Sequence, residues 1–218
     1  MGVFSLALAS AAAAQVTCPT YLFISGCTPS EQRSIPADSV GCTGPGGHYC
    51  RTAYDLRQGY YAFDEVGYGT AAILFDNDSL RIEGPPPGTL VTFRLHARVQ
   101  CGVDVNPVGT TAGFDFLVQL GFRGTEGLED DAIVNPGDPA VTFDREHDVV
   151  VTRPAGTTFD LYTQWRGGGG SNSRVWMRAT VEILDLPPDA RLVSCRGLGD
   201  VPTPTRTVSW GALKQRYR

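Results

Sequence analysis

Leu90-Val91-Thr92-Phe93-Arg94-Leu95-His96-Ala97-Arg98-Val99-Gln100 alternates apolar and polar side chains without a break. Val91, Phe93, Leu95, Ala97 and Val99 share one parity, and Thr92, Arg94, His96 and Arg98 share the other. Successive side chains of a β-strand point to opposite faces, so this stretch predicts a strand with one buried and one wet side. Outward from it the pattern returns at Phe114, Phe116, Val118, Leu120 and Phe122, at Phe159, Leu161 and Trp165, and at Val175, Met177, Ala179, Val181 and Ile183. Shorter strands are expected over 71–75, 80–83, 140–143, 149–153 and 191–195. Between them lie Asp76-Asn77-Asp78, Gly84-Pro85-Pro86-Pro87-Gly88, Asn135-Pro136-Gly137-Asp138-Pro139, the glycines of 167–170 and Pro187-Pro188-Asp189. All of these are residues that favour turns. A run of half-buried strands with no amphipathic helix predicts an all-β chain, an antiparallel β-sandwich of jelly-roll-like form. The apolar parity, Phe159 included, should be buried. Arg94, His96, Arg98, Arg178 and Glu182 should face outward.

Composition agrees. Of 218 residues, 26 are glycine and 15 proline, too many breakers for a helical bundle, while 42% hydrophobic residues are too many for a disordered chain. The net charge of −5 argues against a general nucleic-acid binder. Residues 1–14 are nearly all small or apolar, and Ala12-Ala13-Ala14 precedes Gln15. The run is shorter than a membrane-spanning helix and ends as a signal peptide ends, so residues 1–15 are expected to be one. Cys18, Cys27, Cys42, Cys50, Cys101 and Cys195 all follow that cut and are even in number, which suits disulfides in an oxidising compartment. The preferred pairing is Cys18 with Cys27, Cys42 with Cys50, and Cys101 with Cys195. Zinc is the competing use, but the chain has no C-x-x-C pair. The expected organisation is a disulfide-tied, Cys-rich N-terminal arm over 16–51, a sandwich over 52–198, and a linker with a basic, aromatic tail over 199–218. Tyr21-Leu22-Phe23-Ile24 in the arm could add to a neighbour's sheet edge, although packing on its own domain is the preferred expectation.

Motifs of catalysis are missing: no G-x-S-x-G elbow, no H-E-x-x-H and no phosphate-binding loop occurs. Arg145-Glu146-His147-Asp148 reads as a solvated turn, and His96 as a surface histidine without an acidic neighbour in sequence. Asp76 and Asp78 could hold calcium in a loop, but Asp and Asn also favour an ordinary hairpin turn there. No other cofactor is expected. A ligand or partner patch is expected where 158–166 and 175–184 form a hairpin, with Tyr162 opposite Arg178 and Gln164 opposite Trp176 on the wet face. In the tail, Ser209 can cap a short helix with Trp210, Leu213 and Tyr217 on one side and Lys214, Arg216 and Arg218 around the rest, a recognition peptide.

Tyr54-Asp55-Leu56, the apolar run 71–75, Gly84-Pro85-Pro86-Pro87-Gly88-Thr89 and the closing Leu186-Pro187-Pro188-Asp189-Ala190-Arg191-Leu192-Val193-Ser194-Cys195-Arg196-Gly197 carry a resemblance. Over residues 52–197 the chain resembles exported bacterial β-sandwich domains of the choice-of-anchor and PEP-CTERM-like group. Its W-G-x-L-K-x-x-Y-R ending is similar to those of exported proteins in some Gram-negative lineages. The resemblance implies a secreted or cell-surface module and supplies no catalytic residue. The resulting expectation is an exported, non-catalytic cell-surface or extracellular structural protein able to self-assemble. A carbohydrate-binding module is the alternative, and a secreted hydrolase follows it. Expected partners are protein subunits, cell-surface components or glycans, with no nucleic acid and no membrane span.

Overall fold

In the computed structural model, the residues described are 22–25, 31–33, 37–43, 45–67, 71–121, 126–170 and 172–198. The expected signal peptide, Cys18, Cys27 and the tail residues Trp210, Leu213, Lys214, Arg216, Tyr217 and Arg218 lie outside them. Two antiparallel sheets face one another. The first contains β1 (Leu22–Ser25), β2 (Glu31–Arg33), β6 (Ala71–Glu83), β8 (Ala112–Leu120), β9 (Gly127–Val134), β11 (Thr158–Gly169) and β13 (Arg191–Ser194). Its order is β2-β1-β6-β11-β8-β9, with β13 also paired to β6. The second contains β3 (Ala37–Thr43), β4 (Tyr49–Asp55), β5 (Tyr60–Val66), β7 (Leu90–Val105), β10 (Val141–Pro154) and β12 (Ser173–Leu184), in the order β10-β7-β12-β5-β4-β3. The region 16–51 thus supplies strands to both sheets, and β1 lies on its own domain's β6.

The core lies where the inward parities meet. Val91, Phe93, Leu95, Phe114, Phe116, Val118, Leu161, Met177 and Val181 are buried, and Phe159 and Ile183 pack against them half-buried. Trp165 is fully buried, with its ring 5.0 Å from Tyr61 of the opposite sheet and 5.1 Å from Phe116 of its own. Phe93–Phe159 and Phe63–Phe114 cross the same interlayer space at 6.1 and 5.9 Å. Such pairs contribute about 0.5–1.5 kcal/mol each beyond the area they bury. Arg94, Arg98, Arg178 and their parity lie on the outer face, as the alternation required.

Several expectations fail, each because a partner distant in sequence overrides a local rule. Asp76-Asn77-Asp78 is not a loop but the middle of β6. Asp78 is 2% exposed, and its carboxylate accepts bonds from the Ser194 hydroxyl and the Arg196 backbone N–H. Burial pushes its pKa up while these bonds oppose the rise. It clasps the last described strand instead of standing open to calcium in a loop, and the Asp76 side chain lies outside what is described. Arg145-Glu146-His147-Asp148 is likewise mid-strand in β10. His147 turns inward, with its ring edge-on to Phe116 and Nε2 3.2 Å from Asp130. His96 gains the acidic partner that its sequence neighbours lack, with Nδ1 3.0 Å from Asp148.

The cysteines also depart from the expected pairing. Cys42 and Cys50 are cross-strand partners, yet Cys50 is a buried thiol. Cys101 is a buried thiol as well, while Cys195 is disulfide-bonded. The pairings Cys42–Cys50 and Cys101–Cys195 are therefore both wrong, and no complete disulfide lies among the described residues. The reason is geometric: Cys101 sits in β7 of the second sheet, whereas Cys195 follows β13 on the first, its N–H bonded to Ser79 O at 3.0 Å.

Candidate functional site

The outer face of the second sheet is built from cross-strand rows. In one row Gly41, Arg51, Asp64, Trp176, Gly102 and Thr142 stand side by side on six adjacent strands. The next row runs Ser39, Ala53, Ala62, Arg178, Gln100 and Asp144. Small side chains in the second row leave a trough beside the large ones in the first. The result is a groove of about 690 Å³ over β3, β4, β5 and β12.

Trp176 forms its wall toward β7, half-buried because its ring lies over the backbone of that strand. A Cβ placed on Gly102 would fall 2.2 Å from Trp176 Nε1, so glycine is required there for close approach rather than for a turn. The Arg178 guanidinium stands 5.6 Å from the Trp176 ring centroid in cation–π geometry. Asp64 sits between Arg51 and Trp176. Its carboxylate lies by the Tyr49 side chain and 3.6 Å from Arg174 Nε. Burial, then the neighbouring Asp64 carboxylate, raise the Tyr49 pKa, which keeps that hydroxyl protonated. Arg51, Arg174 and Arg178 are all exposed. Chemically the groove offers an aromatic platform, several donors and one carboxylate.

The predicted patch is split by this arrangement. Trp176 and Arg178 line the groove, but Tyr162 and Gln164 lie on the first sheet, on the other side of the molecule. The connection after β11 is an arch between layers, not a hairpin. β11 pairs with β6 and β8 while β12 pairs with β5 and β7, and Asn172 turns the corner in the left-handed region at φ 59°. Parity identifies the face of a strand but not its sheet, which is why the sequence misplaced these two residues. On its own sheet Gln164 bridges, its amide donating to the Tyr162 hydroxyl at 3.0 Å and accepting from Arg166 Nε at 2.7 Å. Sequence reasoning also missed Tyr49, Arg51, Asp64 and Arg174. The alternation Tyr49, Arg51, Ala53, Asp55 against Cys50, Thr52, Tyr54 was a strand signal within reach, hidden by reading the region as an arm.

No family model matches the chain, and no curated protein matches it. A solved structure described as "CBM4 structure and function" is 16% identical, with 72% of this chain and 94% of that chain covered, at a TM-score of 0.20. Among the described residues, no helix is long and apolar enough to cross a membrane.

Proposed function

We propose that this protein is an exported, non-catalytic β-sandwich of jelly-roll form that binds a glycan in the groove on the outer face of its second sheet. The observation that carries the reading is Trp176, an aromatic ring laid along a strand over Gly102 and bordered by a trough of small residues. Sugar rings present apolar C–H faces that stack on such a platform, while their hydroxyls need donors and acceptors at its margin. Tyr49, Arg51, Asp64 and Arg178 supply both. Export, a secreted or cell-surface location and kinship with choice-of-anchor and PEP-CTERM-like domains belong to the same proposal. Jelly-roll form is supported by the alternation of consecutive strands between the sheets from β5 to β13, broken only where β8 and β9 form a pair in one sheet.

A self-assembling structural role is the second reading, and β10 is the observation in its favour. This 14-residue strand ends its sheet, and Val150 on it is 67% exposed. The charges at 144–148 in its middle weigh against it, because charged residues disfavour edge-to-edge pairing. Isothermal titration with a panel of soluble polysaccharides, alongside light scattering of the protein alone, separates the two. Saturable binding by a monomer, lost in Trp176→Ala, is the expected result. A concentration-dependent polymer that binds no glycan would sink the binding reading.

A further inference from the structure

Resting on that reading, we infer that the groove takes the end of a glycan chain, a few terminal sugars entering over β3 and stopping against Trp176, and not the interior of a chain passing through. A chain held by its interior needs two exits, and the trough has one low side. Toward β7 it is shut. Trp176 covers Gly102 in the first row. In the second, Gln100 Nε2 bonds Asp144 at 2.9 Å and Arg98 grips the same carboxylate at 2.9 and 2.6 Å, so the sheet beyond Arg178 is filled by paired side chains. Among the described residues, none from β7 or β10 lines the groove. Along the strands it is bounded at both ends. Tyr60, flanked by Asp55 and Thr180, forms the row beyond Ala53 and Ala62, and Tyr49 and Arg174 stand in the row beyond Arg51 and Trp176.

The β3 side is different. This strand ends its sheet among the described strands, and it lines the groove with Ser39, Gly41 and Thr43, all small and all exposed. Side-chain size thus falls from the indole at β12, through Ala62 and Ala53, to a low rim at β3. From β12 to β3 is three inter-strand steps, about 14 Å. That reach and a volume of about 690 Å³ suit a short terminal segment, enclosed on three sides, with the rest of its chain leaving over the edge strand.

Chain length and blocked approaches test this. Xylan, laminarin and amylose are each titrated alongside their own hexasaccharide and trisaccharide. In a series that binds, the trisaccharide should match the hexasaccharide within about twofold, and the polymer should saturate at one protein per chain however long it is. Ser39→Tyr raises the low rim and should weaken binding about tenfold, whereas Gln100→Tyr, behind the wall, should leave it unchanged. Affinity that climbs about tenfold or more from trisaccharide to hexasaccharide, with several proteins on each polymer chain, would overturn the chain-end inference and leave the glycan reading intact. Equal losses in the two variants, or no loss in Ser39→Tyr, would do the same. Should Ser39→Tyr fail to fold, the stoichiometry of the unaltered protein decides alone. Absence of binding to every member of the three series would overturn both readings together.

Discussion

One sheet face carries two different surfaces. On the β7 and β10 side each cation has its anion. Arg98 donates to both carboxylate oxygens of Asp144 at 2.9 and 2.6 Å, Gln100 adds a third bond at 2.9 Å, and Arg94 reaches Asp185 at 2.9 Å. On the β12, β5, β4 and β3 side the arginines surround a tryptophan and a trough. The same backbone, the same twist and the same alternation produce both. What differs is side-chain size across the rows: long paired side chains fill the first surface, whereas Ala53, Ala62 and Gly41 leave the second concave. A β-sheet becomes a binding surface by omission as much as by display.

Four substitutions or measurements would break or sharpen that contrast. Trp176→Ala should cost about 30-fold or more in glycan affinity, the loss typical of truncating a central aromatic anchor, with thermal stability nearly unchanged. Equal affinity in the variant, measured by titration, would show the two surfaces to be alike in function. Gly102→Ala sits on the boundary between them. The added methyl must displace the indole, so affinity should fall about tenfold with a stability loss of about 1–3 kcal/mol from overpacking, read by denaturant unfolding. Crowding relieved by a small ring shift would instead leave both values unchanged.

Asp144→Asn belongs to the paired surface and should leave glycan affinity untouched. The bonds from Arg98, then Gln100, lower the Asp144 pKa to about 2 from its ordinary 3.8. A carboxylate with a depressed folded-state pKa stabilises above its unfolded value and loses that contribution as pH falls through the folded one. The wild type should therefore melt slightly above Asp144→Asn at neutral pH, and the gap should close as pH drops from about 4 toward 2. Since these groups are exposed, the gap will be small. The smallest effect expected is none at all. Cys101 lies beneath this face, its thiol pushed up to about 12 by burial, and then by the Asp130 charge. An alkylating reagent at pH 8 should not label it until the sheet is unfolded, and labelling at native rates would show that the layers open.

Legibility followed the range of the forces involved. Strand β7 and its two faces were evident because alternation is a local consequence of backbone geometry, and the core parities of β8, β11 and β12 followed by the same rule. Asp78 was not. Its residue type favours turns, and only Ser194 and Arg196, more than a hundred residues away, explain its place in a strand. Half of the groove's lining was legible too. Trp176 and Arg178 were placed on the outer face by parity, while Tyr162 and Gln164 went to the wrong layer because nothing local to 167–172 distinguishes an arch from a hairpin. The trough could not be seen at all, since it exists only once Ala53, Ala62 and Ser39 from three strands are set in register.

The edge of β6 holds one more consequence. Arg191 to Ser194 pair with Glu83 to Leu80, and Leu22 to Ser25 continue with Asp76 to Ile73. Both run antiparallel to β6, so β13 and then β1 follow each other along one line, in one direction, as though a single strand had been cut. Asp78 marks the cut, its carboxylate tied to the incoming end. The fold is thus nearly a closed ring of chain. Joining residues 198 and 22 by a short linker and opening the chain at the exposed turn of 135–139 should give a circular permutant with the same two layers and the same groove.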